Sequence, residues 1–147
     1  MAADDLGKLL SEVGSTARTW SEQTTELSKL LKQFEVNLRA MGAHVKAHAE
    51  EDDKDLDTLL QIDLDRTTSG GLWQLYYRLG NRTGEAVKWS EQWGLLNDAP
   101  VPIKLRAARL LPSLLKRIRA RLTVENRRLS PVISDLRSIV DGMKEGK

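Results

Sequence analysis

Apolar or small residues recur at alternating gaps of four and three through the first third of this chain: Leu6, Leu10, Val13, Ala17, Trp20, Thr24, Leu27, Leu31, Phe34, Leu38, Met41 and Val45. Thr24 is the one polar member, and no proline interrupts the series. A strand would alternate every two residues, so this period predicts a helix over about 5–50. At about 1.5 Å per residue, such a helix exceeds roughly 60 Å. A seam of that length cannot cover itself and demands other helices, in this chain or another. Beside it runs a row of mostly small residues at sevenfold spacing, Gly7, Gly14, Ser21, Ser28, Glu35 and Gly42. Glycine inside a helix costs about 1 kcal/mol against alanine, so repeating it on one side predicts a close neighbour there. Leu9 and Leu30 widen the apolar face on the other side.

The seam ends near His48, before the acidic run Glu50-Glu51-Asp52-Asp53-Lys54-Asp55. Leu56, Leu59, Leu60, Ile62 and Leu64 then suggest a short acidic helix over about 53–65, with an extended stretch over 61–65 as the alternative. Thr67-Thr68-Ser69-Gly70-Gly71 is a break, with Ser69 or a nearby threonine as a cap for the next helix. Tyrosine and tryptophan stripes predict an aromatic helix over about 72–97, divisible at Gly80-Asn81. Two prolines within Asn97–Pro102 make a loop, and Pro102 can open the next helix. A second heptad runs through Leu111, Leu115, Ile118, Leu122, Glu125, Leu129, Val132, Leu136, Ile139 and Met143, broken in its apolar character only by Glu125. It predicts a long basic helix over about 102–144, kinked or restarted near Pro131. The resulting expectation is all-α: one domain, 1–147, an elongated antiparallel helical bundle of three to five helices with long coiled-coil-like first and last members.

Composition narrows the chemistry. There are no cysteines, which removes disulfides, thiol catalysis and thiolate metal sites and agrees with a reducing, cytoplasmic setting. Met1-Ala2-Ala3-Asp4-Asp5 lacks the basic-then-apolar order of a secretory leader, so the Asn81-Arg82-Thr83 sequon reads as chance. Residues 1–65 carry 7 basic and 14 acidic side chains, whereas 66–147 carry 16 basic and 7 acidic. The two halves should therefore attract if they lie side by side.

The metal-like spacing His44, His48, Asp52 would share one helix face, but Val45 stands where a zinc protease needs glutamate. No cofactor, metal site or catalytic constellation is expected, and the chain reads as non-enzymatic. The strongest functional feature is basic: Lys104, Arg106, Arg109, Lys116, Arg117, Arg119, Arg121, Arg127 and Arg128, opposed only by Glu125. Arginine pairs with phosphate or carboxylate. Its acceptor here is the acidic half of the chain or a protein partner, an anionic membrane reached through amphipathic helix 103–122, or nucleic acid phosphates. Trp89 falls outside both aromatic stripes and is a candidate partner contact. The function these features favour is a protein–protein interaction or assembly module, a scaffold or self-associating oligomer working by helix-face docking. The alternatives are a membrane-active bundle and a nucleic-acid-binding accessory subunit.

Overall fold

A computed structural model describes residues 2–67 and 70–146. It corrects the all-α expectation: the chain is α+β, two long helices that precede and follow a five-stranded antiparallel sheet in sequence, with neither a helical bundle nor a coiled coil within it among the described residues. Helix α1 spans Ala3–Ala40 and helix α2 spans Val101–Glu145. Between them lie β1 (Ala47–Glu50), β2 (Thr58–Asp65), β3 (Gln74–Thr83), β4 (Ala86–Trp89), β5 (Gly94–Leu95) and a 3-10 turn at Leu96–Asp98.

The short acidic helix is in fact β2. Leu60, Ile62 and Leu64 alternate with Gln61, Asp63 and Asp65, and the three apolar side chains are completely or almost completely buried. That is the period-two sequence pattern of a strand, and on its other face Leu59 and Gln61 are buried as well. The aromatic helix is instead β3, β4 and β5. Leu64 pairs with Leu75, Ile62 with Tyr77 and Leu60 with Leu79, so the apolar residues of both strands share one face. Tyrosine, tryptophan and leucine side chains suit a pleated, half-buried surface as well as a helix. Gly84 decides the outcome locally: at φ +67° it occupies the first central position of the two-residue turn between Thr83 and Ala86. β4 and β5 then share the far edge of β3. The predicted cap at Ser69 lies outside the described residues.

The first helix stops at Ala40, ten residues short of the expected end. Gly42, at φ +75°, supplies the left-handed residue of a Schellman turn: its N–H donates to Arg39 O, and the Ala43 N–H donates to Leu38 O. Its place in the small-residue row is therefore a turn requirement. The seam position Val45 falls in a loop before β1. α2 runs unbroken through Pro112 and Pro131, contrary to the expected restart.

The sheet's inner face meets the helices. Ala47 and Ala49 of β1 let α2 approach closely where Ala107, Leu114 and Ile118 are buried. Leu31 and Leu38 of α1 complete the core. Buried Glu35 stitches α1 to the rest: its carboxylate accepts from the Leu75 N–H at 2.8 Å, Asn97 Nδ2 at 3.1 Å and Arg39 at 3.0 Å.

The helices run in the same direction, not antiparallel. Lys104 Nζ donates to Ser28 Oγ at 3.0 Å, and further along Leu38 and Ile118 line one groove. α1 therefore projects its N-terminal half beyond one end of the head, and α2 projects its C-terminal half beyond the other.

Candidate interaction surfaces

Helical periodicity predicts a covered face along both helices, yet the head covers only one half of each. Every residue from Ala3 to Gln23 is exposed, and so is every residue from Asn126 to Glu145. These two arms carry rows of large apolar side chains left in solvent: Leu6, Leu10, Val13 and Trp20 on α1, and Leu129, Val132, Leu136, Ile139 and Met143 on α2. Trp20 and Ile139 are each 60% exposed. Scattered exposed leucines are ordinary, but a contiguous helical stripe of them marks a binding surface. The α2 stripe continues into an apolar groove of about 400 Å³ at the arm's root, lined by Leu38, Met41, Ile118 and Leu122.

The basic segment divides into three groups. Lys104 is buried beside Ser28, and Arg106 is tied into the head: it donates to both Glu51 carboxylate oxygens and, at 2.7 Å, to Thr58 O. Glu51 also accepts the Leu60 N–H at 2.8 Å, so this pair locks α2 to β2. Here the acidic and basic halves of the chain do meet. Arg121 and Arg128 flank Glu125 at 3.4 and 3.2 Å. Arg109, Lys116, Arg117, Arg119 and Arg127 are exposed on α2. The apolar residues within 103–122 are partly spent on the core, since Ala107, Leu114 and Ile118 face the sheet.

The sheet's outer face bears a second cluster that helical reading could not assemble. Arg78 lies 4.4 Å from the Trp93 ring centre and 5.4 Å from that of Trp89, and its Nε donates to Gln61 at 3.0 Å. Trp89 is half-buried in this stack and packs over Gly80. On the same face, burial pushes the Asp63 carboxyl above the ordinary carboxylate value of 3.8. His48 pulls it back, Asp65 pushes it further up, and Arg78 and Lys46 pull it down. Alternation along β2 and β3 was the signal available for this cluster.

His44, His48 and Asp52 do not share a helix face, because the chain there is loop and strand. His44 stacks on Trp73 with ring centres 5.9 Å apart, and His48 stands opposite Asp63 in the β1–β2 register. Among the described residues no group of three or more potential metal ligands converges. An open cleft of about 630 Å³ between α1 and the 3-10 turn is lined by Thr24, Ser28, Lys32, Gln74, Asn97 and Asp98. Among the described residues no helix is long and apolar enough to cross a membrane. No protein-family model, curated protein or solved structure matches the chain.

Proposed function

We propose that this protein is a non-catalytic assembly module that docks through the apolar seams of its two arms. One observation carries the reading: seams built for burial lie uncovered along both projecting arms, while the head closes its own core without them. An amphipathic helix gains most of its stability from covering its apolar face. The absence of cysteine suits a cytoplasmic setting. Release of helix 103–122 onto anionic lipid would require unpacking Leu114 and Ile118 from the core, so the lipid reading ranks second. Exposed basic residues of α2, Arg109, Lys116, Arg117, Arg119 and Arg127 among them, support a nucleic-acid reading.

The test is the native size of the chain in gentle cell extract at about 0.1 and 0.5 M salt, beside the variant Leu10→Asp/Leu136→Asp. Exposed charge pairs weaken over this salt range and apolar docking does not. A complex that survives the higher salt and is lost in the variant supports docking. A single-chain size at both salts overturns it. A complex lost with salt but kept in the variant moves the function to the arginines, where anionic vesicles and nucleic acid are then compared.

A further inference from the structure

Resting on that docking reading, we infer that the occupant of the arms is a second copy of this chain. The α1 arm of each copy lies antiparallel against the α2 arm of the other, in the register where paired residue numbers sum to 149. Three observations carry this inference.

First, the arms leave opposite ends of the head, so one chain cannot pair its own arms. A twofold axis across the middle of the molecule reverses one copy against the other. It brings α1 against α2 of the partner copy at both ends at once, which closes the assembly as a dimer. The arms match in length, Ala3–Gln23 against Asn126–Glu145. Each offers a strip about 30 Å long and about 10 Å wide. Four such strips amount to roughly 1,200 Å², the lower end of a stable interface.

Second, the seams coincide layer by layer. Leu6 meets Met143, Leu10 meets Ile139, Val13 meets Leu136, Ala17 meets Val132 and Trp20 meets Leu129. The next layer sets Thr24, the one polar member of the first seam, against Glu125, the one polar member of the second. Any two heptads can be laid antiparallel in registers seven residues apart, so this coincidence is what selects among them. A shift of one heptad sets Thr24 against Ile118 or Val132, and Glu125 against Ala17 or Leu31. Each such layer would set a polar side chain against an apolar one, whereas in the first register Thr24 and Glu125 face each other.

Third, the flanks are complementary in size. In an antiparallel pair each flanking row faces its counterpart on the other helix. On one side Gly7 faces Val140 and Gly14 faces Ile133; on the other Leu9 faces Gly142. These three glycines have nothing within 4 Å of an added Cβ, so the head gives no reason for them. Opposite bulky partners they are sockets. The remaining flank pairs are polar on polar, Ser21 with Asn126, Thr16 with Asp135 and Gln23 with Arg128. The antiparallel sense also sets the positive end of each α1 beside the negative end of the partner copy's α2.

The chain has no cysteine, so introduced thiols report alone. Purified Leu10→Cys chain is mixed with purified Ile139→Cys chain and oxidised gently, with light scattering on the unmodified protein alongside. The control mixes Leu10→Cys with Val132→Cys, one heptad out of register. The substitutions lie on exposed arms, and mixing single variants excludes links within a chain. A mass of two chains and a linked pair at least tenfold more abundant in the 10/139 mixture than in the 10/132 mixture is the expected result. A two-chain mass with equal linking in both, or with 10/132 ahead, overturns the register and leaves docking intact. An open series of higher masses overturns the closed dimer. A purified monomer beside a seam-dependent complex in extract overturns the second copy as occupant without touching the docking reading.

Discussion

Glu35 joins α1, the sheet and the 3-10 turn, and its removal should be costly for a single residue far from any arm. It is 3% exposed. β5 covers only Tyr76 and Tyr77 of β3, so the adjacent Leu75 N–H has the Glu35 carboxylate as its acceptor. In Glu35→Ala that amide is buried without a partner, a loss of about 1–3 kcal/mol. Arg39 keeps Trp73 O and some water, and Asn97 is half-buried, so their losses are smaller. Breaking a buried charged cluster from one side loses about 3–5 kcal/mol in total, and the partial exposure of Arg39 places this case near 3. Glu35→Gln keeps one oxygen for Leu75 but turns an NH2 toward two other donors, and we expect about half the loss. Urea unfolding followed by circular dichroism reads both, with an unchanged slope showing that stability and not compactness has moved. A loss below about 1 kcal/mol for Glu35→Ala would refute the argument that this carboxylate holds the head together.

Other consequences are simpler to read. Gly80→Ala places a Cβ 2.6 Å from Trp89 Cε3 and 2.8 Å from Val87 Cγ1. It should cost about 1–3 kcal/mol, lower the melting temperature by several degrees and alter tryptophan emission; an unchanged melt would contradict the packing. The raised folded-state pKa of Asp63 means that its protonated form is favoured by folding. Its contribution is complete below the ordinary value of 3.8 and is lost as pH rises through the raised value. Asp63→Asn should therefore gain stability relative to the parent as pH goes from about 4 to 7, measured by urea midpoints; a gain growing toward acid would invert the sign. Gly14→Phe fills the socket facing Ile133 and should raise the dimer dissociation constant at least tenfold, read by sedimentation at falling concentration. The head's melting temperature should not change, because the added side chain points into open space within one chain.

Helix existence was legible in the sequence, and so was its excess. The seam from Leu6 to Leu38 and that from Leu111 to Met143 do lie on α1 and α2. What periodicity could not convey was which part of each seam the head covers. Leu31 and Ile118 occupy the same pattern as Leu10 and Ile139, yet the first pair is core and the second is in solvent. Apart from the extended alternative over 61–65, which falls within β2, the strands were missed for a physical reason. Over 72–97, tyrosines, tryptophans and glycines fall at gaps compatible with either period, and pairing across β2 and β3 joins residues distant in sequence. Leu60, Ile62 and Leu64 carried the correct signal, but a short alternation competes poorly with flanking leucines read at helical spacing. Among the basic residues, charge alone could not separate Arg106, held by Glu51, from exposed Arg117.

The shared direction of the two helices has a mechanical consequence. With the N-terminal arm leaving one end of the head and the C-terminal arm the other, tension applied between the arms runs along α1 and α2 and loads their contact lengthwise. Leu31, Leu38 and Ile118, the Lys104–Ser28 bond and the Glu35 junction would then resist together in shear, because sliding one helix past the other disturbs all of them at once. The antiparallel strands between the helices lie off that direct path while the contact holds. A head built this way transmits a pull from one docking site to the other as a stiff splice.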